Sequence, residues 1–257
     1  MNFRLTIQYD GTDFAGWQTQ ARGVRTVQGE LEQAIAQMDG GAVTVHGAGR
    51  TDAGVHAEGQ VASVVLRREW GPDRLRTAIN GNTGRDLRVI EAQVAPEDFH
   101  ARFSAKGKSY RYRIFNEQFI SPFQVRYAHH EARDLNIERM RACAQLFTGE
   151  HDWTAFSSAQ AETASRVRHV SRLEVAEHWD EAGRGRVIEI DASAEGFLRY
   201  MVRSIAGTLL AAGRDELGED EITRALETGD RALVGATAPA RGLTLVEVHY
   251  GNDVVMM

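Results

Sequence analysis

The sequence has little of what would staple, anchor or metallate it. A single cysteine, Cys143, excludes an internal disulfide and any zinc site built on several thiolates. No run of about 18 apolar residues occurs, so no membrane-spanning helix is expected. The N-terminus, MNFRLTIQYD, enters strand-like alternation at once and lacks the basic and apolar regions of a secretory leader. No low-complexity linker separates its halves. These absences predict a cytoplasmic protein without metal or membrane partner, folded as one body.

What is present suffices for a packed core: 257 residues, 42% of them hydrophobic, enough for one large domain or two small ones. The net charge of −6 argues globally against a nucleic-acid partner. Locally the acids are absent where cations gather. None occurs from Phe99 to Phe115, which holds Arg102, Lys106, Lys108, Arg111 and Arg113, and none from Gly196 to Arg214, which holds Arg199, Arg203 and Arg214. Such segregation fits an anionic ligand as readily as a solvated face of one sign.

Periodicity predicts two similar halves. Phe3 to Asp10 alternates as a half-buried strand. Val27, Leu31, Ala34, Ile35 and Met38 recur at helical spacing until Gly40-Gly41, and Ala42–His46 and Gln60–Arg67 read as strands. Pro72 opens a helix and Leu87 to Val94 closes the half. In the second half, Lys108–Asn116 is a strand with Tyr110, Tyr112 and Ile114 on one face. Asp134 is the expected cap of a helix through Phe147. Val170–Glu177 and Arg186–Ala192 form a hairpin over a glycine-containing turn, helices follow at Phe197–Ala212 and near Glu221–Glu227, and Leu243–Tyr250 is the last strand. The order β-α-β-β-α-β, written twice, predicts an α+β fold of two ferredoxin-like halves, residues 1–105 and 106–257, on a mostly antiparallel sheet with a central cleft for the ligand.

The stretch Gly47-Ala-Gly-Arg-Thr-Asp-Ala-Gly-Val-His-Ala57 stands apart. It is longer than a hairpin connection of about 2–5 residues and carries one acid, Asp52, with Arg50 before it and His56 after. A phosphate loop is excluded, because Asp52 occupies the third glycine position of a dinucleotide fingerprint and the lysine ending of a P-loop is absent. An aspartic-protease dyad needs two carboxylates sharing a proton, which Arg50 would oppose. A turn aspartate bonding its own backbone and a lone nucleophile remain. A lone His56 in a tight loop reads as structural, and His129-His130, adjacent on a strand, point to opposite faces.

Taken whole, Gly-Arg-Thr-Asp-Ala-Gly-Val-His closely resembles the catalytic loop of the tRNA pseudouridine synthase A family. The likeness continues through Tyr9-Asp-Gly-Thr-Asp-Phe-Ala-Gly-Trp17, Lys108-Ser-Tyr-Arg-Tyr112, Ser121-Pro-Phe123, Gly149-Glu-His-Asp-Trp-Thr-Ala-Phe156, Phe197-Leu-Arg-Tyr-Met-Val-Arg203 and Ala238-Pro-Ala-Arg-Gly-Leu243. The resemblance implies a pseudouridine synthase fold and an isomerase that breaks a uridine's N-glycosidic bond and rejoins the sugar through carbon, with no cofactor. Asp52 matches the family nucleophile, Arg203 the arginine that pairs with it, and Tyr110 the tyrosine that stacks on the base. Arg50 is expected to fill the space left by the flipped uridine or to hold its backbone. Arg199 lies beside Arg203, and Leu243 or Leu245 supplies an apolar wall. Lys106, Lys108, Arg111, Arg113, Arg166 and Arg168 are expected at phosphates. The family acts on tRNA, at positions 38, 39 and 40 of the anticodon stem-loop, as a homodimer. Trp17 and Trp153 replace other aromatics, and the Ser158–Ser165 loop is less basic than a tRNA contact suggests. The alternative is a non-catalytic RNA-binding protein with two RRM-like halves, whose aromatic signature Lys108-Ser-Tyr-Arg-Tyr112 only partly supplies.

Overall fold

The computed structural model describes residues 1–20, 23–159, 163, 165–180 and 185–251. The chain divides into two compact units, one of residues 1–106 with 244 onward, the other of residues 107–243.

The first unit runs β1 (Asn2–Tyr9), α1 (Val27–Asp39), β2 (Val45–Gly47), β3 (His56–Val65), α2 (Pro72–Gly81) and β4 (Leu87–Val94). β1 pairs antiparallel with β4 and β3, and β3 pairs antiparallel with β2, which gives the order β4-β1-β3-β2. The alternation of β1 puts Phe3, Leu5 and Ile7 wholly inside, with Leu31 and Ile35 of α1 and Leu75 and Ile79 of α2. The Thr26 side chain accepts from the Gly29 amide to start α1, and Gly40, at φ 80°, ends it in the left-handed conformation. The strand Leu243–His249 pairs in parallel with β3, Thr244 opposite His56 and Leu245 opposite Ala57, although element order counts it as the last member of the second half.

The second unit runs β5 (Gly107–Asn116), β6 (His129–His130), α3 (Ile137–Gln145), β7 (Gly149–Asp152), β8 (Val167–Trp179), β9 (Arg186–Ala194), α4 (Met201–Gly213) and α5 (Glu219–Thr228). Its antiparallel order is β5-β9-β8-β7, with β6 parallel to β5. Trp153, Phe147 and Phe156 are fully buried, with Trp153 stacked on Phe147 at 6.0 Å and edge-on to Phe156 at 5.8 Å. The class is therefore α+β with mostly antiparallel pairing.

Four expectations shift. Strand β3 begins at His56 rather than Gln60, and β2 ends at Gly47, so the acid-bearing connection shortens to residues 48–55. The cap of α3 is Asn136, whose side chain accepts from the Arg139 amide, not Asp134. α4 starts at Met201 rather than Phe197, because Tyr200 stands at φ 68° and breaks the helical path. The tip of the β8–β9 hairpin at 181–184 lies outside the described residues, as does most of the Ala-rich stretch 160–164.

Candidate active site

In the first unit the connection 48–55 is clamped along its length by the preceding segment 9–17. Thr51 is buried, and its hydroxyl lies 2.8 Å from the Tyr9 hydroxyl. The Thr51 carbonyl accepts from the Trp17 amide at 3.0 Å, and the Phe14 carbonyl accepts from the Gly54 amide at 3.3 Å. Gln60 Nε2 donates to the Gly49 carbonyl at 2.9 Å, and the Asp52 carbonyl accepts from the Val55 amide at 3.1 Å. Gly54 needs its φ of 78°, and a Cβ on Gly11 would fall 2.0 Å from the Val55 oxygen. Between these anchors Asp52 is half-buried and Arg50 is exposed. A short polar loop fixed at Gly49, Thr51, Gly54 and Val55 holds its one carboxylate in a set position, as a nucleophile requires.

His56 is buried, and its Nδ1 accepts from the Gly11 amide at 3.0 Å with the Asp10 carboxylate 3.2 Å away. It ties the two segments together, the structural role expected of it. Burial pushes the Tyr9 phenol up to about 12, so this hydroxyl stays protonated at neutral pH and acts as a strut.

In the second unit Tyr110 of β5 is buried and meets Phe197 edge-on, with ring centroids 5.2 Å apart. Tyr112 and Ile114, on the same face, are wholly inside. The Tyr112 hydroxyl donates to the Pro239 carbonyl at 3.0 Å, and burial raises its pKa well above the usual phenol value. Half-buried Lys108 lies near the start of the same strand. Arg203 Nε donates to the Ala238 carbonyl at 2.8 Å, while the Arg203 carbonyl accepts from the Ala238 amide at 3.0 Å. The segment beginning at Ala238 thus grips Arg203 from both ends. Gly207 makes that contact possible, since a Cβ there would fall 1.7 Å from the Ala236 oxygen.

The structure brings Arg199 and Arg203 together by a different route from the one expected. Arg199 precedes α4 rather than lying one turn back on it. Both guanidiniums instead flank the Tyr200 ring, at 4.8 Å and 5.2 Å from its centroid, and Arg199 also donates to the Tyr200 hydroxyl at 3.0 Å. Sequence reasoning passed over Tyr200, whose left-handed backbone no composition signal marks.

Two expected phosphate contacts change character. Arg111 donates to the Asp191 carboxylate at 2.8 and 3.0 Å, and Arg113 to Glu189 at 2.8 and 3.0 Å. These arginines are charge-compensated across the β5–β9 ladder, which places Arg113 opposite Glu189 and Arg111 opposite Asp191. Arg166 and Arg168 donate instead to hydroxyls and main-chain carbonyls, among them Ser157 Oγ and the Ser165 carbonyl. Trp153, in the motif that begins at Gly149, is a core ring whose indole donates to the Arg168 carbonyl. Among the described residues no group of three or more His, Cys, Asp or Glu is arranged to hold a metal, and no helix is long and apolar enough to cross a membrane.

Comparison with known proteins draws these observations together. A tRNA pseudouridine synthase family model matches residues 5–104 and 143–251. These ranges take in Arg50, Asp52, Arg199 and Arg203, while Lys108 and Tyr110 fall in the interval between them. A tRNA pseudouridine synthase A of Agrobacterium fabrum is 42% identical over 98% of this chain and 93% of its own. One of Ruminiclostridium cellulolyticum is 41% identical over 96% of this chain and 98% of its own. With a matching family model over most of its length and relatives alike from end to end, the chain belongs to the tRNA pseudouridine synthase A family.

Proposed function

We propose that this protein is an isomerase that converts uridine in tRNA to pseudouridine, with Asp52 as the nucleophile. The observation that carries the reading is the half-buried carboxylate on a loop clamped by Tyr9, Phe14, Trp17 and Gln60, in a chain whose full-length relatives are named as tRNA pseudouridine synthases. The Asp52 carboxylate attacks the nucleoside covalently. The bond between the base nitrogen and the sugar breaks, the base turns, a bond from its carbon to the sugar forms, the bond to Asp52 breaks to restore the carboxylate, and the proton lost from that carbon is balanced by one gained at nitrogen. No electrons are gained or lost. Tyr110 serves as the platform for the flipped base, with stacking worth about 1–3 kcal/mol against an extrusion cost of a few kcal/mol. Arg203 is assigned as the cation that keeps Asp52 ionised, Arg199 and Lys108 as contacts to RNA, and Arg50 as the side chain that replaces or retains the displaced nucleotide. Of the two leucines, Leu243 keeps 6% exposure and Leu245 none, which favours Leu243 for the apolar wall.

The finer assignment is to uridines at positions 38, 39 and 40 of the anticodon stem-loop, with docking led by the RNA backbone. Action as a homodimer is supported by Phe119 and Phe123, 80% and 82% exposed on one loop of the second unit with Val125 and Tyr127 also open. A non-catalytic RNA binder would have no use for the clamped Asp52 loop, and the named relatives do not favour it.

The deciding experiment incubates the protein with chelator on an unmodified tRNA transcript labelled at its anticodon-stem uridines, then digests the RNA and looks for pseudouridine. Product is expected from the natural protein and none from Asp52→Asn, which should keep tRNA binding because it removes charge with little change of shape. Appreciable turnover by Asp52→Asn would overturn the nucleophile assignment.

A further inference from the structure

The first unit carries a second arrangement of rings and cations that the Asp52 loop does not use. On the sheet face opposite the buried Phe3, Leu5 and Ile7, the register sets Arg4 of β1 and His46 of β2 beside the same residue of β3, Ser63. The segment 96–104 is tied down across this face. Asn2 Nδ2 donates to the Pro96 and Phe99 carbonyls at 2.7 and 2.9 Å. The Ala101 amide donates to Ser63 Oγ at 3.1 Å, and the Tyr250 hydroxyl donates to the Ala101 carbonyl at 2.7 Å. Arg4 lies over the Tyr250 ring at 4.8 Å.

The segment ends in a ladder of three rings. His46 and His100 lie 4.8 Å apart at 35°, and His100 and Phe103 lie 4.4 Å apart at 35°. The ladder is rigid, because His100 Nδ1 accepts from the Arg102 and Phe103 amides at 3.1 and 3.4 Å. That geometry requires an unprotonated Nδ1, in keeping with a His100 pKa lowered by burial and by the charges of His46 and Arg102. The outermost ring, Phe103, is 76% exposed, and the Arg102 guanidinium sits 5.8 Å from its centroid. A phenylalanine serving only the core would turn inward. Here the fold fixes two rings beneath it and leaves its outer surface to solvent.

We infer that the His46–His100–Phe103 ladder is a second RNA-binding site, on which one unpaired base stacks against Phe103 while its phosphate meets Arg102. A planar stack bordered by a guanidinium is the pattern by which proteins hold unpaired nucleotides without reading sequence. The same acid-free stretch, Phe99 to Phe115, continues the cationic border through exposed Lys106. The inference rests on the proposed RNA substrate and adds a contact to it. β2, which bears His46, leads directly into the Asp52 loop, so a base on this ladder is held by the same unit as the nucleophile.

The test uses the whole protein, an unmodified tRNA transcript and oligouridylate as probes. Phe103 is exposed, so Phe103→Leu keeps the fold; it is expected to weaken the Kd for tRNA and raise KM by about tenfold while leaving kcat unchanged, and Phe103→Trp to bind within about twofold of the natural protein. Emission from Phe103→Trp, measured against the natural protein, is expected to be quenched by oligouridylate. Arg102→Gln should lower the slope of log affinity against log salt by about 1. If the protein makes pseudouridine and Phe103→Leu binds tRNA unchanged, the ladder site falls and the isomerase reading stands. If no pseudouridine forms but Phe103→Leu still loses tRNA, the isomerase reading falls and the ladder site stands. A protein that binds neither probe overturns both.

Discussion

Gly47→Ala is the substitution that most directly tests whether the Asp52 loop is positioned from behind. A Cβ on Gly47 would sit 2.4 Å from Trp17 Cε2, 2.5 Å from Cζ2 and 2.7 Å from Nε1. Carbon pairs rest at about 3.5–4.0 Å, so the indole must retreat by about 1 Å. It has little room, since Trp17 is 2% exposed. Overpacking of this kind costs about 1–3 kcal/mol. At about 2–4 °C per kcal/mol for a chain of this size, the melting temperature should fall by roughly 2–12 °C. The effect on rate is expected to be larger. The Trp17 amide donates to the Thr51 carbonyl, one residue before Asp52, and an error of about 1 Å in a reacting group costs on the order of 100-fold. Single-turnover pseudouridine formation should therefore slow by about 10- to 100-fold with tRNA affinity little changed. Gly71→Ala, where the added carbon meets open space, should behave as the natural protein. Trp17→Phe, which removes the colliding part of the indole, should restore rate in the Gly47→Ala background. Unchanged melting and turnover in Gly47→Ala would refute the clamp. Lower melting with normal turnover would mean that Trp17 holds the fold and not the nucleophile.

Other outcomes follow from the same geometry. Arg203→Met gives up the hydrogen bond to the Ala238 carbonyl, worth about 1 kcal/mol, and the contact with the Tyr200 ring, yet it should stay folded while pseudouridine formation collapses; global unfolding by circular dichroism would make Arg203 a structural residue. Tyr9 has a folded pKa of about 12, above its unfolded value near 10, so its contribution is whole below pH 10 and is lost as pH rises toward 12. Two pKa units correspond to about 2–3 kcal/mol, and chemical denaturation in that window should show a shallower decline for Tyr9→Phe than for the natural protein. Phe119→Ser with Phe123→Ser should shift the proposed dimer to monomer in sedimentation velocity, and an unchanged dimer would remove that loop from the interface.

The features legible in the sequence were those set by near neighbours. The alternation Phe3, Leu5, Ile7 fixed β1, the helical spacing from Val27 to Met38 ending at Gly40 marked α1, and Pro72 opened α2, because burial periodicity and capping act within a turn or a pleat. The acid loop was visible as an interruption of that regularity. Features set by distant partners were not legible. Arg111 and Arg113 read as free cations because Asp191 and Glu189 lie 80 and 76 residues away and only the β5–β9 register joins them. Sequence periodicity extends α4 four residues too early, because Phe197 and Leu198 continue the helical spacing of Val202 and Ile205, while the left-handed turn at Tyr200 depends on how the segment packs. His46, His100 and Phe103 are scattered in sequence, and only the strap across β1 and β3 stacks them.

The motifs that surround the named site residues without touching chemistry now have a physical role. Tyr9 to Trp17 holds the Asp52 loop through one buried hydroxyl pair and two main-chain bonds, and it fits only because Gly11 and Gly47 have no side chain. The segment that starts at Ala238 does the same for Arg203 through a reciprocal pair of bonds, and it fits only because Gly207 has none. In the proposed mechanism a carboxylate that attacks and a guanidinium that keeps it charged each lose their effect on a drift of about 1 Å. A chain that supports them on loops must therefore brace those loops from behind, and close backbone contact braces more stiffly than long side chains. On this reasoning the glycines at 11, 47 and 207 serve the proposed reaction by letting these loops be braced at close range.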